Sequence, residues 1–275
     1  MGRAMTPVRA NNLLPLAHSA TLLSMFAGNA AVAVWMPNLC WLTIPLAALA
    51  MCCALSAVHE CAHRTYFTGR LTNEVTGRLW ALVILMNFSA YKRDHMLHHR
   101  HQGTERDTEP QIVMSTQLDL VRAVFFNPHI LPSWLASLRA ALHLEPAPKN
   151  VRRDGLLLLA AQVAVAVALV VDWQMAMLVF FLPFALSTVL DNLVSLPEHA
   201  RLARGVAAPV TRSMRAPRPA DFLLYFVGRH IEHHERPQIC VARTRVAEGR
   251  NPAEGYASYY ARTWRTLSRA TPARA

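Results

Sequence analysis

Two long stretches of the chain carry almost no charge, and they limit the fold more than any other feature of the sequence. Residues 10–59 contain no Asp, Glu, Lys or Arg, and residues 155–197 contain only Asp172 and Asp191. A membrane-crossing helix needs about 20 apolar residues, so each stretch is long enough for two crossings. Pro37 and Asn38 interrupt the first stretch, and Asp172 interrupts the second. We therefore predict an all-α integral membrane protein with four transmembrane helices in two hairpins, near residues 20–35, 39–57, 156–171 and 173–190.

The basic residues indicate how these hairpins are oriented. All 28 Lys and Arg residues lie outside the two hairpins, and such residues mark the cytoplasmic side of a membrane protein. We therefore place both termini in the cytoplasm and the chain in a bacterial inner membrane, with Trp35, Trp41 and Trp173 as an aromatic belt beside the outer turns. Residues 1–275 are expected to form a single domain whose cytoplasmic cap comprises residues 58–154 and 191–275. The net charge of +11 suits a cap that lies against anionic lipid, and no nucleic-acid partner is expected.

Nine histidines fall into clusters whose spacing is typical of metal ligands. HECAH, HMLHH, EHA and HIEHH contain, in chain order, His59, His63, His95, His98, His99, His199, His230, His233 and His234. Residues three or four apart share one face of a helix, and neutral imidazole is a common ligand for iron, copper, nickel and zinc. Because nine imidazoles are too many for one ion, the sequence predicts two metal ions at the cytoplasmic face.

Three further segments complete the expected cap. The apolar run of residues 79–90 is short for a span, and a crossing there would put His63 and His95 on opposite sides of the bilayer. We therefore expect an interfacial helix or a re-entrant segment. Residues 117–144 mix apolar and basic side chains and are predicted to form one or two amphipathic interfacial helices, and residues 145–155 a polar linker.

Two rival functions would use only part of the histidine pattern. HECAH matches the HExxH motif of zinc metalloproteases, but a zinc site with three protein ligands would leave most of the remaining histidines unused. A non-enzymatic metal scaffold or transporter would place its ligands within the bilayer.

The four histidines outside the clusters are not predicted to bind metal. His18, His129 and His143 stand alone and are interpreted as packing residues, and His101 is assigned to the second shell or the surface.

The histidine motifs resemble those of a known family. HECAHRTYF, YKRDHMLHHRHQGTERDTEP, EHA and VGRHIEHHERP are similar to the motifs of the membrane fatty acid desaturase superfamily, which has boxes of the form HxxxH, HxxHH and HxxHH. The resemblance covers about residues 15–240. It implies that the nine histidines bind two non-haem iron ions with O2 as co-substrate, and that the chain desaturates a lipid acyl chain. Hydroxylation or ketolation of an acyl chain or carotenoid is the second interpretation. Ser195 stands where some members carry an asparagine that reaches iron.

Carboxylates near the boxes are candidates to orient the histidines. A metal-bound imidazole usually donates its second ring N–H to an acceptor. By position the candidates are Asp94, Asp107, Glu109, Asp191, Glu198 and Glu232. Asp107 and Glu109 occupy the place of an acidic pair that is common after the second box in the family.

The sequence also predicts a separate electron donor. It contains no flavin, NAD or haem-binding fingerprint, whereas each turnover of such an enzyme needs two external electrons. An acidic ferredoxin or a similar small carrier would be steered to a basic cap, and we assign the docking face to Arg201, Arg204 and Arg212.

The five cysteines include no CxxC pair and are interpreted as small apolar residues without disulfides.

Overall fold

The computed structural model describes residues 11–109, 112–126, 130–202, 211–244 and 254–268, with the backbone only of residues 201–202. Within these ranges the fold is helical. The helices are α1 (Leu13–Trp35), α2 (Cys40–His63), α3 (Arg70–Val83), α4 (Phe88–His101), α5 (Gln117–Phe125), α6 (Ile130–Ala141), α7 (Lys149–Val171), α8 (Trp173–Ala176), α9 (Leu182–His199), α10 (Arg218–Leu223), α11 (His230–Glu235) and α12 (Tyr256–Thr266). A π-helical segment, Met177–Phe181, joins α8 to α9.

Four helical segments are long and apolar enough to cross a membrane, which confirms the prediction of two hairpins. They are Leu13–Trp35, Pro37–His63, Lys149–Val171 and Trp173–His199. Each extends beyond its predicted bounds at the end away from the turn. The reason is that protein, not lipid, covers the polar residues there: His18 is buried against Tyr66, and Asp154 is paired with Arg78. The predicted polar linker is therefore too long, because its second half forms the first turns of α7.

The two turns lie at the end of the hairpins opposite the histidines. α1 ends at Trp35, and Met36 donates its backbone N–H to the Val32 carbonyl. α7 ends before Asp172, whose side chain accepts from the Met175 N–H and begins α8. Trp35, Trp41 and Trp173 beside these turns are 77%, 67% and 62% exposed. Exposed tryptophans at one end of a bundle suit a membrane interface.

The central helix of the bundle is α2, against which α1, α3 and α9 pack. Its buried residues are mostly small, for example Ala47, Ala50, Cys53 and Ala57. Small side chains let neighbouring helices approach closely, which is how membrane helices gain packing contacts. All five cysteines of the chain are free and buried, as expected of small apolar residues.

Residues 79–90 do not form a membrane-crossing helix, as predicted, but they do not form one continuous helix either. α3 ends at Val83 and α4 begins at Phe88. Between them Leu85 has a φ of 50°. The Asn87 side chain accepts from the Ala90 N–H and so starts α4. Because of this break, the chain changes direction before the second histidine box.

The remaining cap elements are short. The region 117–144 contains two helices, α5 and α6, with a capping box formed by Thr116 and Asp119 at the start of α5. Two parallel pairs of two-residue strands tie distant segments together. The pairs are β1 (Val113–Met114) with β2 (Arg201–Leu202), and β3 (Met214–Arg215) with β4 (Glu254–Gly255). The first pair holds the segment after the second histidine box beside the end of α9.

Candidate metal centre

Four helices bring the nine box histidines together at one end of the bundle. Two histidines come from the last turns of α2, three from α4, one from the end of α9 and three from α11. Arg64, directly after His63, has a φ of 62° and ends α2 in a left-handed conformation. That reversal ends α2 directly after the first box, so the box lies at the tip of the helix.

The histidines divide into two adjoining groups, which we call cluster A and cluster B. In cluster A, one ring nitrogen of each member lies within 4.8 Å of the others, and the members are His59, His63, His95, His99 and His233. The Nε2 atom of His95 lies 3.0 Å from that of His63 and 3.1 Å from that of His99. The Nε2 atom of His233 lies 3.0 Å from that of His99.

Cluster B contains the other four box histidines. The ring nitrogens of His98, His199 and His234 lie within 4.8 Å of one another. His230 joins them, with its Nε2 atom 2.7 Å from that of His199 and 3.1 Å from that of His234. The clusters touch where the rings of His99 and His234 stack, with centroids 4.3 Å apart. The structure therefore brings together all nine residues that the sequence singled out.

The acidic DTEP segment orients two of the α4 histidines. The Nδ1 atom of His95 lies 2.8 Å from Glu109 Oε1, and that of His98 lies 2.7 Å from Asp107 Oδ1. A carboxylate on Nδ1 keeps the proton there, so Nε2 presents its lone pair to the cluster. Burial favours a protonated Asp107, but hydrogen bonds from the Gly103 N–H, the His98 ring and the Glu109 N–H lower its pKa overall. Asp107 is therefore a carboxylate at neutral pH.

Two further glutamates face Nδ1 atoms at slightly longer range. The Nδ1 atom of His230 is 3.6 Å from Glu198 Oε2, and that of His59 is 3.5 Å from Glu60 Oε1. Glu60 is 1% exposed, and its other oxygen accepts from the Thr65 hydroxyl and the Val241 N–H. Sequence reasoning missed this role, because Glu60 was considered only as the glutamate of an HExxH motif. Its position directly after a box histidine was the available signal.

Five histidines outside the membrane spans have pKa values low enough to be neutral at pH 7. Burial first, and then the charge that neighbouring histidines such as His59 would carry, lower the pKa of His99 to about 3. The same causes hold the pKa values of His95, His230, His233 and His234 well below the usual range. Neutral imidazole is the form that binds metal.

The ring nitrogens fit a metal ion better than they fit each other. Lone pairs of neutral imidazoles that meet at 3.0–3.1 Å repel unless a proton or a cation lies between them. For metal–nitrogen bonds of about 2.1 Å, two ligands at a right angle lie roughly 3.0 Å apart. The buried Nε2 atoms of His59 and His98 have no hydrogen-bond partner among the described residues, although both rings line the clusters. The geometry is therefore consistent with one metal ion in each cluster.

Several predicted site residues lie elsewhere or have other contacts. Glu232 accepts a hydrogen bond from the Ser213 hydroxyl at 2.7 Å. Asp94 pairs with Arg93 at 2.9 Å, and the Ser195 hydroxyl donates to the Asp191 carbonyl at 2.9 Å. Asp191 lines a cavity between helices. None of these contacts involves a histidine ring.

The three described histidines outside the boxes take no part in either cluster. His18 is buried, with its ring nitrogens 2.7 Å from the Tyr66 hydroxyl and 2.7 Å from the Leu223 carbonyl. His143 is exposed and contacts Arg152, and His101 belongs to neither cluster. His129 lies outside the described residues, as does Arg204 of the predicted donor face. Arg212 of that face donates to the carbonyls of Pro197 and Ala200 and so holds the end of α9.

Comparisons with known proteins agree with the geometry. The fatty acid desaturase family model matches residues 21–266, a range that contains all nine clustered histidines and both hairpins except for the first eight residues of α1. Comparison with curated proteins gives no significant match.

Proposed function

Because the chain belongs to the fatty acid desaturase family, we propose that it is an O2-dependent desaturase that introduces a double bond into a lipid acyl chain. The convergence of nine histidines into two adjoining clusters carries this proposal. We assign one iron ion to the five histidines of cluster A and a second to the four of cluster B. Five imidazoles in the cluster that contains HECAH exceed the three protein ligands of a zinc protease.

The chain's own residues would position the chemistry. Neutral imidazoles supply the nitrogen lone pairs, and Glu109 and Asp107 hold the Nδ1 protons of His95 and His98. Two reduced iron ions supply the capacity to activate O2 for removal of hydrogen from an unactivated C–H bond. In the overall reaction the acyl chain loses two hydrogens and O2 is reduced to two water molecules. The electron donor supplies two electrons, and the solvent supplies two protons. The electron donor is proposed to be a ferredoxin or a similar small carrier.

The membrane supplies the substrate. The histidine clusters lie at one end of four apolar helices, so an acyl chain can reach them from the bilayer without crossing water. We place this end and both termini on the cytoplasmic side of a bacterial inner membrane, since the basic residues lie outside the hairpins. Residues 1–275 are proposed to act as a single domain.

Expression in a host that lacks the activity tests this function. Iron and zinc per purified chain would be quantified, and the host lipids profiled by mass spectrometry. We expect about two irons per chain and lipids lighter by two hydrogens. Zinc in place of iron would contradict the diiron assignment. A product that gains an oxygen atom would favour the hydroxylase or ketolase interpretation.

One variant tests whether product formation depends on the histidine clusters. His98→Ala removes a ring whose Nδ1 is held by Asp107, and we expect it to abolish the product while the protein still inserts into the membrane. The control is His143→Ala, since His143 is exposed and distant in sequence from every box. Full product formation by His98→Ala would contradict its assignment as a ligand.

A further inference from the structure

A cavity of about 100 Å³ lies on the membrane side of the clusters. It is bounded by α2, α6 and α9 and by the break between α3 and α4. Leu55, which lines it, is four residues before His59 on α2, and Asp191 is eight residues before His199 on α9. At 1.5 Å per helical residue, these separations are about 6 Å and about 12 Å along the helices. The cavity therefore adjoins α2 and α9 within a few helical turns of the histidines that these helices carry.

Most polar groups that line the cavity are already satisfied by the backbone. The hydroxyls of Ser133, Ser187 and Thr188 donate to carbonyls in their own helices, at 3.1, 2.7 and 2.8 Å. The Trp134 ring N–H donates to the Leu85 carbonyl at 2.7 Å. The donor hydrogens of these groups are therefore already used, and none of them needs an acceptor on a ligand.

The Asp191 carboxyl is different. Within the part of the chain that the structure describes, no group donates a hydrogen bond to this carboxyl or forms an ion pair with it. An ionisable side chain within a membrane helix is costly unless it has a partner, and a helix that served only packing would carry an apolar residue here. A polar group that enters the cavity would supply the partner that the described residues do not provide.

We propose, on the basis of the desaturase function above, that Asp191 binds a hydroxyl group on the substrate chain, so that the preferred substrate is a hydroxyl-bearing lipid chain. The rest of the lining is largely apolar and suits methylene groups. A hydroxyl can donate to a carboxylate and can accept from a neutral carboxylic acid. It also brings no net charge into the membrane, unlike an amine, which would have to lose its water.

Ligand binding to the purified, iron-loaded protein without electron donor tests the proposal. The probes are fatty acids of one chain length, unsubstituted or with one hydroxyl at successive positions along the chain. A hydrogen bond to a charged group corresponds to roughly 10-fold to 100-fold in affinity. We expect the wild type to bind at least one hydroxylated probe more tightly than the unsubstituted one by about this factor.

Three variants separate the carboxyl from the shape of the cavity. Asp191→Leu should bind all probes alike with its iron content unchanged, and Asp191→Asn should retain most of the preference because an amide also pairs with a hydroxyl. Thr21→Val is the matched control, since the Thr21 hydroxyl bonds to the Ala17 carbonyl of α1 and Thr21 does not line the cavity, and it should behave as wild type. Equal binding of all probes by the wild type, or an undiminished preference in Asp191→Leu, would overturn the proposal. So would loss of iron from Asp191→Leu, which would assign Asp191 to the metal centre.

Failure of the Asp191 assignment can be distinguished from failure of the desaturase function. If the wild type discriminates between the probes but oxidises none of them when a donor is supplied, the cavity assignment stands and the desaturase function fails. If it oxidises unsubstituted chains but does not discriminate, the function stands and the assignment to Asp191 fails.

Discussion

Each histidine cluster contains two rings whose Nδ1 atom faces a carboxylate. The pairs in cluster A are His59 with Glu60 and His95 with Glu109, and those in cluster B are His98 with Asp107 and His230 with Glu198. Two divalent metal ions would carry four positive charges, and acidic side chains at these positions would offset part of that charge. In a buried site, such balance matters because unpaired charge is costly.

Removal of one of these carboxylates should weaken metal retention. Glu60→Gln leaves an acceptor for the Thr65 hydroxyl but removes the charge that faces His59. Loss of such a partner typically lowers metal affinity by about 10-fold to 100-fold. We expect the variant to lose iron to a chelator at concentrations that leave the wild type loaded. Glu74→Gln, which changes a carboxylate that contacts no histidine, is the control; equal retention in all three proteins would rule out this role for Glu60.

The histidine spacing predicted which residues meet, but it did not predict how they divide. The second and third boxes both contribute to both clusters: His95 and His99 belong to cluster A, whereas His98 belongs to cluster B. Spacing places these rings along one helix, and only the approach of α2 and α9 decides which partner each ring meets. Glu60 was missed for a related reason, because its alignment with His59 depends on contacts from Thr65 and Val241.

At the scale of helices, α3 packs closely on α2 at Gly77. A Cβ atom at this position would lie 2.8 Å from the Cβ of Cys61 and would overlap the Phe88 ring. The Phe88 ring cannot easily move, because Arg78 and Lys92 lie 5.4 and 5.6 Å from its centroid.

Gly77→Ala should therefore destabilise the protein although alanine favours helix. Overpacking of a core costs about 1–3 kcal/mol, which outweighs a gain in helix propensity of about 1 kcal/mol. The matched control is Gly28→Ala in α1, where a Cβ meets nothing within 4 Å, and it should raise the melting temperature in detergent. A Gly77→Ala protein that melts at or above the wild-type temperature would show that α3 can shift away from α2.

The pH dependence of stability should reveal the ion-pair network between α3 and its neighbours. Glu74 contacts Arg64, Arg78 and Lys92. Burial raises the pKa of Glu74, but the hydrogen bond from Lys92 and the nearby positive charges lower it overall. A carboxyl whose pKa is lower in the folded protein than in the unfolded chain stabilises the fold at every pH above its unfolded pKa, which is about 4.3 for Glu. This stabilisation is lost as the pH falls through the pKa of the folded protein.

Glu74→Gln should accordingly be less stable than the wild type at pH 7, by about 1 kcal/mol or less for partly exposed pairs. The two proteins should converge in melting temperature as the pH falls toward 3. Thermal unfolding in detergent across this range provides the measurement. A difference that persists at the acidic end would indicate packing rather than charge.

At the scale of the whole molecule, the exposed basic residues near the clusters are candidates for the docking face of the proposed electron donor. Arg212 cannot test the predicted face, because its guanidinium holds the end of α9. Arg100 and Arg106 are exposed and lie on either side of the turn that follows the second histidine box. They are therefore better placed to report on the donor.

Arg100→Glu with Arg106→Glu should slow electron transfer from an acidic carrier and reduce its dependence on salt, because electrostatic steering weakens with ionic strength. Turnover would be measured at several salt concentrations with a reconstituted ferredoxin. Arg70→Glu, at an exposed site on α3 far in sequence from the second box, is the control. Unchanged rates and salt dependence would exclude this face.

Hydropathy and spacing are local properties of a sequence, so they determined the four spans, the two hairpins and the set of nine clustered histidines. They also showed that residues 79–90 could not cross the membrane. Only the tertiary structure decided the break around Leu85, the division of the boxes into two clusters and the contact of Glu60 with His59. It also decided the position of the Asp191 carboxyl in a cavity where no described residue pairs with it. Each of these depends on how helices distant in sequence meet, and no local pattern records that.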